Sequence, residues 1–409
     1  MQIDGVIFDL DETLLDTSPL RDARQQRQWS DVMRRLENVE PFEVEGEIAV
    51  VDLPARLQAN GVKVGVLTAS PRHYAEALLE RFGIAPDAIV TGSDGHPSKP
   101  DPAGLRAIAA ELGVAIERCA HVGDTDTDTA AAVKAGAVAI GVCWSTRAPQ
   151  AWRRWWPEIA IADPALLLEL ANGERLRLAA EATLLGDAVE WHWGTLAAVE
   201  DGVFALGRYF PTADARNAAT ELSPLILAAK NDPARAADVT RLFATVADKP
   251  EWAERFDRVC SVPAKPGADY DRFEAVRDDL APRLGAADGG ANLEMLFDVP
   301  DYKHLDHDTR RAANAGRFRA QNVDDEAVLL IDDVVTSGGQ AEACRTALLE
   351  AGADSAVILG LGLTQDALPE TCPQCGVGIL KIFRRHSDGH PFVGCGNWRV
   401  TGCSYTRDL

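Results

Sequence analysis

Three groups of residues have the types and spacing to do chemistry. The first is acidic. Asp9-Leu10-Asp11-Glu12-Thr13 closes the apolar run GVIFDL, and Gly123-Asp124-Thr125-Asp126-Thr127-Asp128 closes CAHV. Between them lie Thr68, after VKVGVL, and Lys99, in Ser98-Lys99-Pro100. Side chains two apart on a strand point the same way, so Asp9 and Asp11 face one side. The second group lies in Val328–Gln340, VLLIDDVVTSGGQ. An apolar strand ends there in Asp332 and Asp333. Thr336, Ser337, Gly338 and Gly339 follow, and then the helical pattern QAEACRTALLEAG. Hydroxyls and backbone N–H groups at a helix N-terminus cradle a phosphate. The adjacent acids repel phosphate but suit a ribose diol, through charge-assisted hydrogen bonds. Together they describe a site for a ribose 5-phosphate. The third group is Cys372, Cys375, Cys395 and Cys403, opened by a CxxC pair. Four thiolates make a closed tetrahedral zinc site. A tail of about forty residues without much core needs such a staple.

The elements that position these residues alternate. GVIFDL, 62–70, 87–92 and 119–128 read as buried parallel strands with helices between them. In a doubly wound sheet the loops after such strands converge on one edge. The insert after the first strand, about Leu14–Glu45, reads as little more than one helix, which leaves the site open. Trp residues at 144–156 read as packing against the sheet, and His121 as structural. Composition shifts after Gly173. GERLRLAAEAT is a short charged segment, and the stretch to Phe210 reads as two or three short strands. LSPLILAAK (222–230) starts a helix whose Lys230 faces the second site. FDRVCSVPAKPG (256–267) is a strand and loop, with Lys265 suited to pyrophosphate. Arg310, Arg311, Arg317 and Arg319 read as a solvated helix face. The expected fold is α/β. It comprises two doubly wound parallel-sheet domains, residues 1–173 and 174–368, and a small zinc ribbon, residues 369–409.

The totals are those of a soluble globular protein: 409 residues, 46% hydrophobic and 25% charged. No signal peptide or membrane span is read, so a cytoplasmic location is expected. Net charge is −22, which excludes a uniformly nucleic-acid-coating surface but not a local basic module. Cys119, Cys143, Cys260 and Cys344 are scattered singly in apolar settings and read as reduced core residues.

The first group resembles the haloacid dehalogenase superfamily, whose four motifs are matched by DLDET, Thr68, Lys99 before proline, and GDTDTD. The resemblance implies a Mg²⁺-dependent phosphatase. Asp9 would be the nucleophile and Asp11 the general acid and base. Thr68 would bind the phosphoryl oxygens, and Lys99 would neutralise charge. Asp9, the Asp11 carbonyl and Asp124 would hold Mg²⁺, with Asp128 behind them. The second group resembles the type I phosphoribosyltransferase signature, with Gln340 where that signature ends in a hydroxyl. The order of pieces over about 190–365 is similar to the ComF-type proteins of DNA uptake. That implies binding of phosphoribosyl pyrophosphate or a nucleotide by Asp332, Asp333 and the 336–340 loop. The tail resembles the C-terminal zinc ribbons of bacterial type I topoisomerases, which bind single-stranded DNA. Lys381, Arg384, Arg385, Arg399 and Arg407, interleaved with Phe383, Phe392, Trp398 and Tyr405, suit a single strand of DNA or RNA. The reading is a bifunctional protein of nucleotide or nucleic-acid-end processing. Its alternative is a DNA-uptake or repair accessory whose middle domain only binds nucleotide.

Overall fold

The computed structural model describes residues 3–44, 46–145, 155–172, 178–186, 197–200, 202–212, 214, 216–230, 232–299, 312–336, 339–365, 372–376, 380–385, 391–396, 398 and 402–408. Ser337, Gly338, Arg310, Arg311 and Arg399, and the side chains of Lys381 and Arg384, lie outside the described residues.

The continuous apolar runs form strands buried on both faces, as parallel sheets require. β1 (Gly5–Phe8), β2 (Lys63–Leu67), β3 (Ala88–Val90), β4 (Cys119–Gly123), β5 (Val138–Val142) and β6 (Ile159–Ile161) make one six-stranded sheet in the order 3-2-1-4-5-6. Every pairing is parallel. The chain leaves β1 toward β2 and β3, then returns on the other side of β1 as β4. The crevice outside β1 and β4 is therefore the topological switch point, where open α/β sheets place ligands. Phe8 pairs with both Val66 and Val122. That register brings Asp9, Thr68 and Asp124 to one edge.

The segment after β1 differs from the expected single helix. Short helices Arg21–Gln25 and Trp29–Arg34 are flanked by 3₁₀ turns. The break falls where Arg27 adopts the left-handed conformation, φ 56°, which no helix continues through. Between Thr68 and Lys99 stand one helix, Arg72–Arg81, and one strand, β3.

The second sheet uses β7 (Ala197–Glu200), β8 (Val203–Ala205), β9 (Arg208–Tyr209), β10 (Arg258–Ser261) and β11 (Ala287–Asp288). After an antiparallel pair, β12 (Leu293–Met295) and β13 (Phe318–Ala320), it is completed by β14 (Ala327–Val335) and β15 (Ser355–Thr364). The order is 11-10-14-15-8-7, with β9 on β15. All contacts from β11 to β8 are parallel. The chain steps from β10 outward to β11 and back to β14, so this sheet has its own switch point between β10 and β14. The charged segment near residue 180 contains a helix, Ala179–Leu185. Trp144 donates to the Thr13 carbonyl at 3.0 Å. Trp156 is buried in the apolar cluster of the second sheet, and its backbone N–H donates to Gln365 at 2.8 Å.

The tail forms an antiparallel sheet of β16 (Leu380–Arg384), β17 (Pro391–Cys395) and β18 (Thr406–Asp408). Among the described residues its core is little more than Leu380, Val393 and the cysteines, with Tyr405 against them. Among the described residues, no helix is long and apolar enough to cross a membrane.

Candidate functional site

At the first switch point Lys99 is the centre. Its Nζ lies 2.5 Å from Asp9 Oδ1 and 2.5 Å from Asp128 Oδ1. Asp9, Asp124 and Asp128 are buried, and their carboxylate oxygens lie within 4.8 Å of one another. Burial pushes the Asp9 carboxyl up to about 7; Lys99 opposes that rise, and Asp128 and Asp11 add to it. Burial also works against the charge of Asp128, but Lys99 and His121 outweigh it and hold that group below the ordinary carboxylate range. Burial disfavours the Lys99 ammonium as well, yet Asp128 and Asp9 keep it above the usual lysine value.

Local sequence explains how Asp128 is held. The helix Asp126–Ala135 opens with a capping box: Thr125 is the N-cap and Asp128 the third helical residue. Asp128 Oδ2 accepts from the Thr125 hydroxyl at 2.5 Å and from its N–H at 3.2 Å. His121 Nδ1 lies 2.9 Å from the Ile7 carbonyl, which can only accept, and Nε2 lies 3.2 Å from Asp128 Oδ1. His121 thus has a structural part: it ties β4 to β1 and braces Asp128. Ser145 donates to Asp124 Oδ2 at 2.9 Å. A side chain at Gly123 would bring its Cβ to 2.4 Å from Asp128 Cβ, so only glycine permits this approach.

Asp11 is held separately. Oδ2 accepts from Ser70 at 2.7 Å and Thr68 at 3.3 Å. Oδ1 accepts from the Tyr74 hydroxyl at 2.7 Å and pairs with Arg24 at 3.0 Å. Arg24 and Arg21, from the first insert helix, also pair with the buried Glu12. Ser70, Tyr74, Arg24 and Ser145 carry no motif and were invisible in the linear sequence. The Thr125-x-x-Asp128 capping pattern was visible there.

Three close carboxylates set against one ammonium leave a negative, all-oxygen pocket, which fits a hard divalent cation such as Mg²⁺.

Residues 27–136 match the haloacid dehalogenase-like hydrolase family. Over those residues the N-terminal region is similar to that family. A phosphoglycolate phosphatase of Rhodospirillum rubrum is 46% identical over 82 residues, 20% of this chain and 34% of that protein. Another, from Salmonella typhimurium, is 30% identical over 125 residues, 30% of this chain and 47% of that protein. The chain thus spans between a third and a half of these curated relatives. Among solved structures, a phosphatase of this superfamily from Thermococcus onnurineus is 19% identical; it covers 43% of this chain and 100% of its own, with a TM-score of 0.34.

On the second sheet, Asp332 and Asp333 are buried on β14. The strand runs past them to Val335, because Val334 and Val335 pair with Gly362 and Leu363 of β15. The acids therefore sit within the strand rather than at its end. Arg272 lies 3.0 Å from Asp333 Oδ2 and 3.6 Å from Asp332 Oδ1. Lys230 lies 3.2 Å from Asp333 Oδ2, facing the site as its helix predicted. Neither cation is aligned for a hydrogen bond to that oxygen, so the attraction is ionic. Burial and then Asp333 raise the Asp332 carboxyl to about 7, with Arg272 opposing. Arg272 has no sequence signature, and its role emerges only in three dimensions. Thr336 and Gly339 flank the start of the helix Gln340–Glu350. Lys265 is largely exposed and pairs with Asp298 at 2.8 Å.

The four tail cysteines come together. Cys372 and Cys403 sulfurs lie 3.6 Å apart, and Cys375 and Cys395 sulfurs 3.7 Å apart. All four lie within 4.8 Å of one another. A tetrahedral zinc with sulfurs at about 2.3 Å separates them by about 3.8 Å, whereas a disulfide needs about 2 Å. The thiols fit zinc and not a pair of disulfides. Phe383 and Phe392 stack on each other, centroids 5.8 Å apart, which spends both rings on the small sheet. Trp398, Arg385 and Arg407 are exposed. Cys119, Cys260 and Cys344 are buried and Cys143 is half-buried, all as free thiols.

Proposed function

We propose that the chain is a bifunctional protein of nucleotide or nucleic-acid-end processing, built from modules 1–173, 174–368 and 369–409. The first is a phosphomonoesterase, and the second binds or transfers a 5-phosphoribosyl group. The observation that carries the reading is Lys99 bridging Asp9 and Asp128 beside Asp124 at the switch point. Asp9 attacks phosphorus, forming an aspartyl-phosphate, while Lys99 offsets charge on the nucleophile and the phosphoryl group. Thr68 orients the phosphoryl oxygens. Asp11 exchanges its present donors for the leaving oxygen, gives it a proton, and then takes one from the attacking water. Mg²⁺, held by Asp9, Asp124 and the Asp11 carbonyl with Asp128 bracing them, supplies charge neutralisation when bound.

In the second module, Asp332 and Asp333 face the ribose diol and the 336–339 loop takes the phosphate, of phosphoribosyl pyrophosphate or of a nucleotide. Lys265 serves the pyrophosphate by leaving Asp298. The four-cysteine tail holds zinc and contacts single-stranded DNA or RNA. A second reading, an uptake or repair accessory whose middle module only binds nucleotide, is favoured by Gln340 in place of the loop's last hydroxyl.

The test is Mg²⁺-dependent phosphate release by the purified chain, with Asp9→Asn as control. The panel holds free nucleotides, phosphoribosyl pyrophosphate, 2-phosphoglycolate (taken from the name of the matching relatives) and end-phosphorylated oligonucleotides. Oligonucleotide preference that weakens without residues 370–409 supports end processing. Preference for 2-phosphoglycolate refutes the nucleotide reading, and release indifferent to Asp9→Asn refutes the phosphatase itself.

A further inference from the structure

The run of arginines before β14 reads as a solvated face, yet Arg317 is fully buried. A guanidinium keeps its charge and is costly to bury unless its N–H groups find acceptors. Its Nη1 donates to Asn314 Oδ1 at 3.2 Å, Nε to the Phe297 carbonyl at 3.3 Å, and Nη2 to Asp298 Oδ1 at 3.2 Å. The side chain of Gln340 is a further acceptor. With its amide oxygen turned to the guanidinium, that oxygen accepts from Nη1 at 3.0 Å and Nη2 at 3.1 Å. Gln340 is the first residue of the helix that follows the 336–339 loop. Asn314, also buried, donates from Nδ2 to the Gly339 carbonyl at 3.4 Å. The turn from Asn314 to Arg317 thus grips the last loop residue by its carbonyl and the first helical residue by its side chain. Asp298 carries the hold onward, because its Oδ2 pairs with Lys265 at 2.8 Å. Lys265, Asp298, Arg317 and Gln340 form one chain from the loop after β10 to the helix after β14, across the second switch point.

We propose that Arg317 is a positioning residue for phosphate recognition in the middle module. It acts through Gln340 to hold Gly339 and the helix N-terminus in the form that receives the phosphate of a 5-phosphoribosyl ligand. The proposal rests on the reading of that loop as a phosphate cradle. Affinity falls by the fraction of time that a phosphate-binding backbone spends outside its competent form. The departure at position 340 gains a reason: an amide reaches back to the guanidinium with its carbonyl, which a threonine hydroxyl is too short to do.

The test is calorimetric titration of ribose 5-phosphate into the full chain, carrying Asp9→Asn and free of Mg²⁺ so that the phosphatase site is silent. Four forms are compared: this parent, Arg317→Met, Gln340→Met and the double variant. The parent binds, and each single change weakens binding at least tenfold. The double variant is no weaker than the weaker single, because the two residues act as one unit. With Asp9 restored, Arg317→Met keeps its p-nitrophenyl phosphate hydrolysis. Additive losses, or undiminished binding by Gln340→Met, overturn the positioning role and leave the phosphate cradle standing. Should Arg317→Met fail to fold, Gln340→Met, which removes only the amide, decides the matter. A parent that does not bind ribose 5-phosphate overturns both the cradle and the positioning role.

Discussion

Replacing the proposed nucleophile should stabilise the metal-free protein, and do so only where that group is charged. Asp9 is nearly buried, and its carboxyl stands at about 7 against 3.8 in the open chain. Its folded value is raised, so between pH 4 and pH 7 the native state holds more protons than the unfolded state. Stability contributed by this group is therefore complete below about pH 4 and is lost as pH rises toward 7. At about 1.4 kcal/mol per unit, the full penalty is about 4 kcal/mol, and about 3 kcal/mol of it comes in between pH 5 and pH 7. The neutral amide introduced by Asp9→Asn carries no such penalty. Asp9→Asn should then raise the melting midpoint of the N-terminal domain more at pH 8 than at pH 5. For a domain of this size the extra gain is roughly 5–10 °C. Mg²⁺ should return the difference to the wild type, since a cation beside Asp9 and Asp124 offsets the cost of the buried negative charge. Differential scanning fluorimetry at both pH values, with and without Mg²⁺, gives the answer. An equal gain at pH 5 and pH 8 would refute the claim that burial of the charged carboxylate is the cause.

Gly123→Ala should cost about 100-fold in phosphatase kcat, because a Cβ 2.4 Å from Asp128 Cβ displaces Asp128 and with it Lys99; an unchanged kcat removes Asp128 from the machinery. Asp333→Asn should weaken ribose 5-phosphate binding at least tenfold in calorimetry while p-nitrophenyl phosphate hydrolysis stays intact. In the same variant Asp332 should titrate lower, since its like-charged neighbour is gone, and carboxyl NMR of labelled aspartate reads that shift directly. The tail should carry one zinc per chain by atomic emission, with its four thiols unreactive until a chelator is added. Four thiols that react at once in metal-replete protein would rule the site out.

Sequence patterns revealed the two central strands and most of the acids, because a buried parallel strand is a continuous apolar run and its C-terminal residues have nowhere to go but the crevice. Asp9 and Asp124 were legible for that reason, Lys99 from its place before Pro100 in the loop after β3, and the cysteines from their spacing. The setting of Asp11 was not. Tyr74 and Arg24 reach it from elements whose own sequence periodicity reports only burial, and Ser70 sits in a loop with no pattern. Arg27 hid the break in the insert, since a left-handed arginine leaves no trace in composition. Arg317 was misread for the opposite reason: arginine is usually solvated, and only its set of acceptors reverses that expectation. Lys265 was legible as a cation in the loop after β10, but its partner Asp298 lies 33 residues away.

The capping box at Thr125 has a spectroscopic use. Its amide hydrogen points at the same carboxylate that Lys99 holds from the other side. Any event that shifts electron density on Asp128 must therefore move the resonance of that one backbone proton. A single nitrogen-15 label at Thr125 is thus a built-in gauge of pocket occupancy, readable in the intact chain without labelling a substrate.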